Sequence, residues 1–280
     1  MQNGVYEVNI PFTKMHGLGN DFIVINAIEH TIDNLSEFAR TWCDRRFGIG
    51  ADQLLVLDES AIADYKMRIF NADSSEVEMC GNGIRCLAQY IRQEGFSNKS
   101  DLAIETLGGV MYPEVREHSV RVNMGRAYLS PKSIPVCLDV DPVVNVPVAI
   151  AGEEHCITTV SMGNPHCVIF ADDVDAIPLE KIGPEIENNA LFPNRINVEF
   201  VQILSRTHIK IRVWERGAGI TLACGTGACA SAVAAVVNGK TDRQMTVSLP
   251  GGDLIIELGE LDVVYMTGPA ERVFDGIIHD

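Results

Sequence analysis

MCGNGIRCLAQYI (residues 79–91) and ACGTGACASAVAAVV (residues 223–237) are two versions of one pattern, with Cys80 and Cys224 separated by 144 residues. The same offset recurs outward from them. Gly19-Asn20 maps onto Gly163-Asn164, Gln53 onto Asn197, Arg68 onto Arg212, Asn71 onto Glu215, and Gly95 onto Gly239. Later it slips by one, so that Gly125 maps onto Gly268. Two copies of so long a unit are too few for a solenoid. They predict two related halves, with a ligand cleft where such halves meet.

Each half reads as mixed α/β. Ile84, Leu87, Ala88 and Ile91 lie on one face of a helix, as do Ala228, Cys229, Ala232, Val233 and Val236. The second helix is apolar nearly all round, which predicts a buried, central position. Gly95 and Gly239 stand where C-terminal caps belong. Short strands are predicted at 22–26, 53–57 and 66–70, and at the equivalents 166–170, 197–201 and 210–214. A further amphipathic helix is predicted over residues 35–46. The Pro- and Val-rich stretch 131–154 is the expected connector. The N-terminal domain is then 1–127 with 270–280, and the C-terminal domain 128–269.

The 280 residues are 46% hydrophobic and 21% charged, enough for a sizeable core. The net charge of −16 disfavours nucleic acid and anionic membranes as partners. No apolar run is long enough to cross a bilayer, and the first residues lack a secretory pattern, so a cytoplasmic location is expected. The eight cysteines include no Cys-x-x-Cys and no zinc-ligand spacing, which predicts free thiols and no metal.

Each key cysteine immediately precedes a Gly-x-Gly turn that opens a helix. Helix N-termini carry unpaired N–H groups and positive potential. They should lower the thiol pKa and bind a carboxylate through the N–H groups of residues 81–82 and 225–226. If both helix starts hold one α-carboxylate, Cys80 and Cys224 fall on opposite faces of its α-carbon. Inverting that carbon by proton transfer needs one group to remove a proton and another to deliver one. Donors aimed at the carboxylate stabilise the carbanion between the two steps.

The stretches MHGLGNDFIVIN (15–26), RRFGIGADQ (45–53), FNADSSEVEMCGNGIRC (70–86), SMGNPHCV (161–168), ERGAG (215–219), ACGTGACA (223–230) and YMTGPAERVFDG (265–276) closely resemble the diaminopimelate epimerase family. The resemblance implies an α/β (α+β) fold of two pseudo-symmetric domains, each wrapping strands around a central helix, often as a homodimer. It implies interconversion of LL- and meso-diaminopimelate, towards lysine and peptidoglycan precursors, with no pyridoxal phosphate or other cofactor. Cys80 and Cys224 match the catalytic pair. Asn20, Gln53, Asn71, Asn164, Asn197, Glu215 and Arg216 match substrate contacts, and Gly81, Asn82, Gly225 and Thr226 the carboxylate cradle. His166 and Glu215 match positions that tune the thiols. Arg216 and Glu215 also offer a cation and an acceptor for the substrate end that is not inverted.

Two positions depart from the family's usual pattern. Ile220 replaces glutamate in GAGET, and Ser74 replaces glycine in NADGS. They bear on substrate range. Two other readings stay open: a related racemase of another amino acid, and a non-catalytic amino-acid-binding protein.

Overall fold

A computed structural model describes residues 9–150 and 152–279. The chain forms two compact units, Met1–Val122 with Pro269–Asp280, and Asn123–Gly268. The fold is mixed α+β, with four α-helices among the described residues.

The first unit runs β1 (Asn9–Gly17), β2 (Asn20–Asn26), α1 (Leu35–Trp42), β3 (Gln53–Asp58), β4 (Tyr65–Asn71), α2 (Gly81–Gln93), β5 (Ile104–Thr106), β6 (Gly109–Met111), β7 (Glu114–Val115) and the start of β8 (Val120–Arg126). The second adds β9 (Val146–Ile150), β10 (Glu153–Ser161), β11 (Pro165–Phe170), α3 (Leu179–Glu187), β12 (Asn197–Ser205), β13 (His208–Glu215), β14 (Gly219–Ile220), α4 (Gly225–Val237), β15 (Gln244–Leu249), β16 (Gly252–Leu258) and β17 (Val263–Gly268). The chain then returns to the first unit as β18 (Glu271–His279), antiparallel to β1. The first sheet has the order β18-β1-β2-β3-β4-β5-β6, and the second contains β8-β17-β16-β15-β13-β12-β11-β10-β9.

The duplication in the sequence is a duplication of register. Phe22 pairs Gln53 in parallel, and 144 residues on His166 pairs Asn197 in the same way. The helices α2 and α4 start and stop at equivalent residues, and both are central. Asn82 to Ile91 are buried without interruption, as are Gly227 to Ala235. Both helices end as predicted. Gly95 and Gly239 take φ of 76° and 69°, and the following residue bonds back into the last turn.

Two expectations change. Helix α1 stops at Trp42 rather than running to residue 46. The Asp44 carboxylate accepts from the N–H groups of Arg46 and Phe47 and starts a new turn. The stretch 131–154 is also no exposed connector. Ile134, Val136, Val143, Val148 and Ile150 are buried in the second unit's core against residues of α3 and β12. The crossing between units lies within β8 instead, and Val- and Ile-rich chain is better used as core.

Asp21 ties the turn before β3 to the sheet. Burial raises its pKa, but hydrogen bonds from Arg45 and Lys14 outweigh burial and hold it well below the usual carboxylate range. Lys14 lies 2.7 Å from one Asp21 oxygen and Arg45 2.6 Å from the other, and Lys14 also reaches the Gly50 carbonyl. A depressed carboxylate stabilises the fold above its unfolded pKa and loses that contribution as pH falls through the folded value. Asp21→Asn should therefore cost on the order of 1–3 kcal/mol at neutral pH, between the exposed and buried ion-pair limits. In urea melts the gap from wild type should shrink as pH drops below about 4. A gap independent of pH would contradict this role.

Candidate active site

In each unit the key cysteine is the N-cap of the central helix. Cys80 has extended backbone (φ −135°, ψ 119°) and its sulfur accepts the Gly83 N–H at 3.4 Å. Cys224 repeats this (φ −114°, ψ 108°), accepting the Gly227 N–H at 3.3 Å. Capping by sulfur places each thiol at the positive end of a helix dipole. Helix geometry leaves the N–H groups of residues 81–82 and 225–226 without an intrahelical carbonyl.

Around Cys80 the first unit gathers amides. The Cys80 thiol donates to Asn20 Oδ1 at 3.7 Å, and Asn82 Nδ2 donates to the same oxygen at 3.2 Å. Asn20 is held in turn by Asp52, to which its Nδ2 donates at 2.9 Å. Neighbouring strands place Gln53 beside Asn71, with Gln53 Nε2 donating to Asn71 Oδ1 at 2.8 Å. Gln53 Oε1 is buried with no hydrogen-bond partner among the described residues. Asn71 opens the loop that carries Ser74. Ser74 sits at φ 77°, a left-handed conformation that favours glycine. Ser74→Gly should raise stability by about 0.5–1 kcal/mol as that strain is relieved. An unchanged or lower melting temperature would refute the strain.

Around Cys224 the second unit gathers ionisable groups as well. Asn164 Nδ2 donates to Thr226 Oγ1 at 3.2 Å, and Thr226 Oγ1 lies 3.6 Å from the Cys224 sulfur. His166, fully buried, meets Asn164 Oδ1 through Nε2 at 3.0 Å and Glu199 Oε1 through Nδ1 at 2.7 Å. Glu215 accepts from Thr221, and its charge acts on the Cys224 thiol. Asn197 is buried and spends both ends of its amide on backbone, donating to the Pro165 carbonyl and accepting the Arg216 N–H. It therefore fixes the start of the Arg216-Gly217 turn. Buried Glu187 on α3 holds that turn from below, accepting from the Gly217 N–H and the Trp214 indole. The Arg216 side chain donates to the Asn194 carbonyl.

The electrostatics of Cys224 run opposite to the sequence-based expectation of a lowered pKa. Burial first, then the charges of Glu215 and Glu199, push the thiol well above its ordinary value. The Thr226 hydroxyl and the Gly227 N–H pull the other way and lose. A helix N-terminus favours thiolate, but desolvation in a site already holding two carboxylates outweighs it. Burial likewise raises Glu199 and Glu215. Burial and the two carboxylates thus favour the neutral thiol of Cys224 over its thiolate. Cys86, by contrast, is pushed up to about 12 chiefly by burial, with Arg85 pulling the other way, and is a packing residue in the interior of α2.

Sequence reading missed Glu199 and Glu187. For Glu199 the signal was a lone carboxylate inside the apolar run INVEFVQIL (196–204), since a charge buried there needs a partner.

Fold and site together define a class. The structure superposes on a hydroxyproline epimerase from Agrobacterium vitis with a TM-score of 0.69 at 13% identity, covering 98% of this chain and 93% of that one. A PhzF-family phenazine biosynthesis protein from Bacillus anthracis gives 0.69 at 17% identity, covering 97% and 99%. These likenesses show that the chain has the same fold as those proteins. The family model described as diaminopimelate epimerase matches residues 12–130 and 158–273. The diaminopimelate epimerases of Acetivibrio thermocellus and Nostoc punctiforme are 54% and 55% identical to the chain, covering 95% of it and 97% and 99% of their own lengths. The chain belongs to the diaminopimelate epimerase family.

Proposed function

We propose that the chain interconverts LL- and meso-2,6-diaminopimelate by proton transfer at one α-carbon, with Cys80 and Cys224 as the acid–base pair and no cofactor. One observation carries the reading. In a chain 54% identical to a diaminopimelate epimerase, the same N-capping cysteine opens the equivalent helix of both units. One thiolate removes the α-proton from one face while the other thiol delivers a proton to the opposite face. The roles exchange with the enantiomer at the α-carbon. The N–H groups of Gly81, Asn82, Gly225 and Thr226 hold the α-carboxylate, where they stabilise the negative charge that develops as the proton leaves. Asn20, Gln53, Asn71, Asn164 and Asn197 orient the substrate, and Glu215 and Arg216 face its distal amino and carboxylate groups. Glu215, whose charge acts on the Cys224 thiol, and His166 set the thiol's protonation.

The physical case for a pair is stereochemical. A single base returns the proton to the face it came from, whereas two opposed thiols invert the centre. The favoured neutral thiol of Cys224 fits the delivering role. All eight cysteines are free thiols, which suits a reducing, cytoplasmic compartment. No helix among the described residues is long and apolar enough to cross a membrane. The proposed partners are the small amino-acid substrate and a second copy of the chain, as a homodimer, with no nucleic acid at a net charge of −16.

The test is direct. Reduced protein incubated with LL-diaminopimelate should form the meso isomer, resolved by chiral chromatography. No meso isomer, or equal turnover of a monocarboxylic amino acid, would overturn the reading.

A further inference from the structure

The two units differ beneath their cysteines. At positions related by the 144-residue offset, the first has Phe22 and Leu55 and the second has His166 and Glu199. The strand registers are the same: Val24 pairs Leu55 as Val168 pairs Glu199. A Cβ placed on Gly83 would meet Leu55 Cδ2 at 3.1 Å and Phe22 Cε1 at 3.6 Å, whereas one on Gly227 would meet Glu199 Oε1 at 2.8 Å. One helix start rests on hydrocarbon and the other on a carboxylate.

A fully buried carboxylate is costly to keep. Glu199 spends it on a single contact. Its Oε1 bonds His166 Nδ1, and its Oε2 has no hydrogen-bond partner among the described residues. From His166 the chain of contacts continues through Asn164 Oδ1, Asn164 Nδ2, Thr226 Oγ1 and the Cys224 sulfur. The other charged group acting on Glu199 is Glu215.

We propose that Glu199 is a positioning residue acting through His166: by sharing one proton with Nδ1 it lets Nε2 hold a second proton toward Asn164 Oδ1, and so fixes the Asn164 amide with its NH2 toward Thr226 and Cys224. The proton balance is simple. The Nδ1–Oε1 contact holds one proton, whichever group carries it, and Nε2 holds another. The reverse orientation of the Asn164 amide would require a bare Nε2. This inference rests on the proposed function only for its kinetic part.

The test uses the whole protein labelled with ¹⁵N-histidine. The His166 signal is assigned by its loss in His166→Asn. Long-range ¹H–¹⁵N spectra between about pH 6 and 8 should show Nε2 protonated. Glu199→Gln can donate from its own amide to Nδ1 and should keep that tautomer. Glu199→Leu offers Nδ1 nothing and should give mixed tautomers. Diaminopimelate epimerisation should fall roughly ten- to a hundred-fold in Glu199→Leu, the worth of one buried hydrogen bond to a charged group, and less in Glu199→Gln. A bare Nε2 in the wild type, an unchanged spectrum in Glu199→Leu, or a Glu199→Leu protein as active as the wild type would each overturn the proposal. Should Glu199→Leu fail to fold, the wild-type and Glu199→Gln spectra decide it. A wild type inactive on diaminopimelate would instead sink the proposed function and leave the spectra to be read.

Discussion

Cys224→Ser and Cys80→Ser are each expected to fold and to lose epimerisation by a factor on the order of 10²–10⁴, the usual worth of a positioned acid or base. Serine is among the preferred N-cap residues, so the oxygen takes over the bond from Gly227 or Gly83 and the helix keeps its start. Stability should accordingly move by less than about 1 kcal/mol. What the hydroxyl cannot do is ionise in the required range. Its loss should appear in kcat more than in KM, because the carboxylate cradle is backbone. Circular dichroism and a kcat measurement on each variant check both parts. A folded serine variant with near-wild-type kcat would remove that thiol from the chemistry.

Gly227→Ala should be the most damaging single methyl group in the second unit's site. The added carbon would lie 2.8 Å from Glu199 Oε1 and 3.1 Å from the Cys224 sulfur. Alanine gains helix propensity over glycine, worth about 1 kcal/mol. Against that, neither a carboxylate locked onto His166 nor the capping sulfur can retreat cheaply. A net loss of about 1–3 kcal/mol, the range for overpacking, is expected together with a large fall in kcat/KM. Gly83→Ala provides the comparison, because there the methyl meets the flexible end of Leu55 at 3.1 Å. Thermal melts should rank Gly227→Ala below Gly83→Ala. Equal melting temperatures would mean that Glu199 and Cys224 yield as easily as leucine does.

These two glycines also show how far the sequence could be read. The repeat register located both helix starts, both C-terminal caps and six of the strands. It could do so because glycine turns and apolar periodicity are local signals. The identity of the residue lying under each glycine is not local. Glu199 meets Gly227 only because α4 packs across β12, a long-range contact. For the same reason the direction of the Cys224 shift is not legible in the sequence. A helix N-terminus is legible in ACGTG, but the desolvation and the two carboxylates that outweigh it come from β12 and β13. Helix α1 ends before residue 46 because the competing Asp44 turn is a side-chain event that apolar periodicity does not reveal. The Pro- and Val-rich composition of 131–154 suggests a connector, but its valines and isoleucines mark core.

In the proposed mechanism two thiols, not one, handle the α-proton. The most direct measurement follows deuterium during early turnover of LL-diaminopimelate in heavy water. With separate donor and acceptor thiols, the meso product should carry solvent deuterium at the inverted carbon from the first turnovers, while recovered LL substrate stays protiated. Product that retains the original proton, or deuterium that enters recovered substrate as fast as product, would mean that a single base serves both faces and would contradict the account.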